Sequence, residues 1–122
     1  MVAEAWVSPA DRLANYVRSD EFQQAFNFAF LQTPWTATAL RSTIADSLRA
    51  CDAVGAPTTW VLSNHDVVRH VSRLGLPVGA TRLNSIGDGD PEPNADMGLR
   101  RARAANTLTL AMPASSYLRP SA

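Results

Sequence analysis

The run TTWVLS, residues 58 to 63, is apolar almost without interruption and rich in β-branched and aromatic side chains. A strand with one wet face would alternate polar and apolar residues, so a run of this kind suits a parallel strand covered on both faces. That constrains the rest of the chain, because parallel strands cannot be joined by tight hairpins and need long crossovers, usually helical.

The flanking text supplies such crossovers. From Thr36 the residues Leu40, Ile44, Leu48 and Cys51 recur every three to four positions, and the pattern stops at Gly55 ahead of Pro57. This predicts a helix closed by a glycine cap. Upstream, MVAEAWV reads as a short strand. Ser8-Pro9 reads as a helix N-cap with proline at the first helical position, leading through Leu13, Tyr16 and Val17. QAFNFAFL reads as a second strand with Phe26, Phe28 and Phe30 on one face.

Downstream, residues 75 to 96 are crowded with Gly, Pro, Asn and Asp and predict a long loop. Leu99 to Ala111 predicts a helix with Ala102, Ala105 and Leu108 inward and Asn94 or Asp96 as its N-cap. Pro113 ends it, and ASSYL can open another strand. The resulting rhythm is that of βαβ units, so the predicted fold class is α/β with a parallel sheet, in one domain without a separate linker.

At 122 residues, with 46% hydrophobic and 18% charged, the chain has the composition of a globular domain. Eleven basic residues, all Arg, balance eleven acidic ones and form no stripe that would track a phosphate backbone, so nucleic acid is not an expected partner. The basic patch GLRRAR reads as a solvated helix face. No apolar run approaches the roughly 20 residues that span a bilayer. The N-terminus lacks the basic and apolar regions of a signal peptide, so the expectations are no membrane partner and a cytoplasmic location. The single cysteine, Cys51, excludes an intrachain disulfide and reads as a small buried residue on the helix.

In α/β folds reactive groups gather at the carboxyl ends of the strands, where the βα loops form one cleft. Glu4 and the cluster Asn64-His65-Asp66 occupy such ends. Taken singly, Glu4 reads as a solvated acid, and Asn64 and Asp66 as caps of the next helix. Together, two carboxylates delivered by parallel strands suit glycoside hydrolysis, in which one acid protonates the leaving oxygen and a second carboxylate meets developing oxocarbenium charge. HDVVRH suggests instead a metal-dependent phosphohydrolase with His65, Asp66 and His70 as ligands, but the chain has only two His. DGDPEPNAD departs from the EF-hand loop at its required Gly and its final Glu. Neither a metal nor a cofactor is expected.

VAEAWV and WVLSNHD resemble the strand-five and strand-seven signatures of the alpha-amylase superfamily of retaining glycoside hydrolases. NHDVVRHVSRLG is similar to its alpha-glucosidase branch, as are RLANYVRSDEFQQAFNFAFLQTPW and GLRRARAANTLTLAMP, so the resemblance covers nearly the whole chain. It implies a partial (β/α)8 TIM barrel, roughly strands five to eight with their helices, with residues 1–122 a fragment of the catalytic domain. It further implies an alpha-linked gluco-oligosaccharide substrate. Glu4 would be the general acid/base and Asp66 the transition-state stabiliser. His65 would bond the glucosyl unit in the innermost subsite, and Asn64 would order the turn. Arg69 would stand near the aglycone side or hold a structural salt bridge.

The resemblance also implies departures. The nucleophile belongs to a Gly-Phe-Arg-x-Asp motif on strand four, and that strand is expected to be missing with the rest of the first half. Ala29 stands where an acid is expected and Ala114 where glycine is favoured. The isolated chain is therefore expected not to hydrolyse a chromogenic alpha-glucoside, to expose inner-face residues such as Trp60 and Phe28, and to self-associate or await the N-terminal half of the same barrel. The alternative is a non-catalytic half-domain that binds sugar or completes a partner's barrel.

Overall fold

The computed structural model describes residues 1–77, 79–80 and 82–118. They form two compact units: Met1–Val61 with Pro113–Tyr117, and Leu62–Met112 with Leu118.

The first unit is α/β, in the order β1 (Val2–Ala3), α1 (Ala10–Ala14) with a 3-10 turn at Asn15–Val17, β2 (Gln24–Asn27), α2 (Phe28–Gln32), α3 (Ala37–Asp52), β3 (Thr59–Val61) and, at the end of the chain, β4 (Ser115–Tyr117). The sheet order is β1-β2-β3-β4 and every pairing is parallel, with Ala3 opposite Ala25, Asn27 opposite Trp60 and Trp60 opposite Ser116. The predicted α/β class with a parallel sheet is what the chain adopts.

Partners in a parallel register share a face, and side chains alternate along each strand, so the two faces can be read residue by residue. One face meets helices. There Asn27 Nδ2 donates to Ser47 Oγ of α3 at 2.8 Å, and the Trp60 ring sits edge-on to Phe30 of α2 at 5.1 Å. Ala3, Leu13, Val17, Ala25 and Cys51 form a buried cluster between β1, β2, α1 and α3. Burial raises the Cys51 thiol above its usual range, so it stays protonated at neutral pH. The opposite face carries Gln24, which donates to Ser115 Oγ at 3.1 Å, and Phe26, whose ring lies 4.7 Å from that of Tyr117.

The alternation of Phe26, Phe28 and Phe30 does not make one strand. β2 ends at Asn27, and Phe28 and Phe30 belong to α2. The reason lies in Asn27, which is 1% exposed and whose Oδ1 accepts the Phe30 N–H at 3.0 Å, capping a helix in the middle of the apparent period. Trp60 and Phe28 are likewise not exposed as expected. Trp60 is fully enclosed and its Nε1 donates to Pro113 O at 2.8 Å, while Phe28 stacks on Trp6 with ring centroids 4.0 Å apart.

α3 matches its pattern. Thr36 Oγ1 accepts from Ala39 N, and after Asp52 the chain turns through Gly55 at φ +69°, a conformation in which a side chain would be strained. A second such position is occupied by alanine: Ala114, just before β4, sits at φ +94°. An L-residue there costs about 1–2 kcal/mol, and glycine costs part of that back through the freedom it adds to the unfolded chain. Ala114→Gly is therefore expected to stabilise the chain by about 0.5–1 kcal/mol, read as a higher urea midpoint at unchanged slope; a lower midpoint contradicts the assignment.

The second unit contains α4 (His70–Gly75) and α5 (Ala95–Ala111). α5 begins four residues before the predicted Leu99, because Asn94 Oδ1 accepts the Met97 N–H at 2.8 Å and starts the helix through a stretch without apolar period. The two helices meet at glycines. A Cβ on Gly98 would lie 2.3 Å from Val71 O and 3.2 Å from Gly75 Cα, and one on Gly75 would lie 2.7 Å from Asn94 O. Asn94 N donates to Gly75 O and Arg101 to Leu74 O, both at 2.9 Å. In the intervening loop Asp90 accepts from Arg82 Nε at 2.6 Å and Gly87 N at 3.0 Å, which holds its carboxyl below the usual range. No helix among the described residues is long and apolar enough to cross a membrane.

Candidate functional site

Glu4 is the first residue after β1 and is exposed. Two positions on, Trp6 is 47% exposed and stacks on Phe28 at an interplanar angle of 14°. These rings, with Ser8, Gln32 and Thr33, line an open cavity of about 360 Å³. The segment after β1 thus combines a solvated carboxylate with an aromatic surface. Trp6 was visible in VAEAWV but was not singled out by its sequence, since a lone aromatic beside a strand is commonly core.

Residues 64–66 follow β3 after Leu62 and Ser63. Asn64 is 3% exposed, and its Oδ1 accepts the Asp66 backbone N–H at 3.2 Å, closing a tight turn of the kind asparagine forms readily. The turn lifts His65 and Asp66 into solvent, where His65 Nε2 lies 3.3 Å from Asp66 Oδ1. Arg69 donates to the Asn64 carbonyl oxygen, and the salt bridge offered as its structural role is not formed among the described residues. Asn64 Nδ2 is buried with no protein acceptor, an N–H group that costs on the order of 1–3 kcal/mol while unpaired.

Two further residues hold this turn. Arg73 bridges it, donating to Leu62 O and Val68 O at 2.7 Å each, and burial pushes its guanidinium down to about 10, still cationic at neutral pH. Ser63, 2% exposed, accepts the His70 backbone N–H at 3.0 Å, and its Oγ lies 2.9 Å from His70 Nδ1. The serine oxygen has two lone pairs, so this contact has two senses, the hydroxyl donating to a bare Nδ1 or an Nδ1–H donating to the oxygen, and the tautomer of His70 decides between them. Burial foremost, then the charges of Arg73 and Arg69, hold the imidazole below the usual histidine range. Sequence reasoning treated His70 only as a possible metal ligand and passed over Ser63 and Arg73. No local signal marks a pair seven residues apart that meets only when a strand exit folds back on a helix start.

A scan against protein-family models returned no match to this chain, and a search of curated proteins returned none either.

Proposed function

We propose that the chain is part of a retaining alpha-glucosidase of the alpha-amylase superfamily type, built as strands five to eight of a (β/α)8 barrel and acting on alpha-linked gluco-oligosaccharides. The observation that carries the reading is the ordered pair of motifs VAEAWV and WVLSNHD, each leaving the carboxyl end of a parallel strand. Strand order supports it. The four parallel strands follow one another in chain order, as strands of a barrel wall do, whereas doubly wound sheets reverse their order at a switch point.

In this reading Glu4 donates its proton to the glycosidic oxygen as the bond breaks and later removes a proton from the attacking water. Asp66 opposes the positive charge that develops at the anomeric carbon, and His65 donates to a hydroxyl of the same glucosyl unit. Asn64 sets the turn that presents both side chains. Trp6 offers its free face to the apolar side of a pyranose ring. The nucleophilic carboxylate comes from an Arg-x-Asp strand outside these 122 residues.

Maltose titrated into isotopically labelled chain is expected to shift the amide resonances of Glu4, Trp6, His65 and Asp66 at millimolar concentration, without turnover. An unperturbed spectrum rejects the sugar reading.

A further inference from the structure

The turn bearing His65 and Asp66 is closed from below by basic groups and one hydroxyl. Arg69 reaches Asn64 O, Arg73 reaches Leu62 O and Val68 O, and Ser63 holds both the backbone N–H and the ring of His70. We propose that Ser63 and His70 form an acid-sensitive clasp that keeps this turn closed while the imidazole is neutral and releases it when the imidazole is protonated. As regulation of a sugar site the proposal rests on the glycosidase reading; the clasp itself does not.

The chemistry of the pair sets the direction. In the closed state proposed here the Ser63 hydroxyl donates to a bare Nδ1 at 2.9 Å while its oxygen accepts from His70 N–H at 3.0 Å, so the hydroxyl and Nδ1 are both matched. A proton added to Nδ1 turns that nitrogen into a donor. The hydroxyl hydrogen then loses its acceptor in a site where Ser63 is 2% and His70 4% exposed. The new cation also meets the charges of Arg73 and Arg69, both already committed to carbonyls of the same turn. The remaining charged groups offer no compensation. Asp66 pairs with His65 in solvent, Asp90 pairs with Arg82 in the following loop, and the charged side chain of α5 that reaches α4 is another cation, Arg101, on Leu74 O. Asp96, Arg100 and Arg103 of α5 are exposed. Among the described residues no carboxylate bonds to His70, Arg69 or Arg73.

The sign follows. A histidine whose folded-state proton affinity is depressed leaves the turn fully held above the ordinary histidine range and weakens it as pH falls below that range. Nitrogen-detected NMR of the 122-residue chain at about pH 7.5 should show His70 as the Nε2–H tautomer. On lowering the pH to about 5, amide exchange at Asp66 and His70, corrected for intrinsic rate, should accelerate by about tenfold or more, with α3 amides unchanged. His70→Gln should remove the pH dependence, and Ser63→Ala should give fast exchange at both pH values. If His70→Gln does not fold, the pH series on the native chain and Ser63→Ala decides alone. An Nδ1–H tautomer, titration at the ordinary histidine value, or exchange that is equally slow at both pH values overturns the clasp. Loss of maltose shifts at every pH, with the exchange behaviour intact, would instead remove the glycosidase reading and leave the clasp standing.

Discussion

Gly98→Ala is expected to destabilise the chain by about 3 kcal/mol, one of the largest effects a single methyl group can have here. The added carbon would stand 2.3 Å from the Val71 carbonyl oxygen and 3.2 Å from Gly75 Cα, and neither is the tip of a flexible side chain that can swing away. Relief requires α5 to back off α4, which stretches the 2.9 Å bond from Asn94 N to Gly75 O and pulls Arg101 from Leu74 O. The control is Gly87→Ala, where nothing lies within 4 Å and the φ is not in the left-handed region, so the change should stay within about 0.5 kcal/mol. Urea titrations of the three chains decide the matter. Equal midpoints for the two variants would mean that α4 and α5 do not touch through their glycines.

The same glycines show where sequence reading stops. GLRRARAANTL announces a helix by its alanines, yet nothing in it says that Gly98 and Gly75 are points of backbone contact, because closeness between helices depends on a partner distant in sequence. Caps behave similarly. Asn94 was legible as a candidate, but Asn27 was hidden inside an alternating aromatic run, and only its bond to Phe30 N reveals that a helix starts there. Periodicity reports which side chains want burial and does not distinguish a strand from a strand that hands over to a helix after four residues. Ala114 is a further case. It sits at φ +94°, a conformation that favours glycine, and an alanine in the sequence does not announce it. Of the candidate site, Glu4, Asn64, His65, Asp66 and Arg69 came from short motifs. Ser63 and Arg73, which also hold the turn, act through tertiary contacts and left no pattern to read, and His70 was legible only as a possible metal ligand.

Glu4 and Asp66 are expected to act in catalysis once the chain is joined to an upstream segment that carries an Arg-x-Asp strand. Such a protein should hydrolyse maltose, and Glu4→Gln should lower that rate by about 10²–10⁴-fold, the usual contribution of a general acid. The loss should depend on the leaving group. Maltose expels a sugar alkoxide that needs a proton, whereas alpha-glucosyl fluoride expels fluoride and needs little help, so the bond-breaking step of Glu4→Gln should be nearly normal with the fluoride. Asp66→Asn should behave otherwise. A carboxylate that opposes charge at the anomeric carbon acts on the glucosyl half common to both substrates, and its loss should depress both rates alike. Pre-steady-state release of glucose and of fluoride separates the two patterns. A Glu4→Gln protein equally slow on both substrates would take the proton-donor role away from Glu4, and an Asp66→Asn protein that kept its activity on either would remove Asp66 from the site.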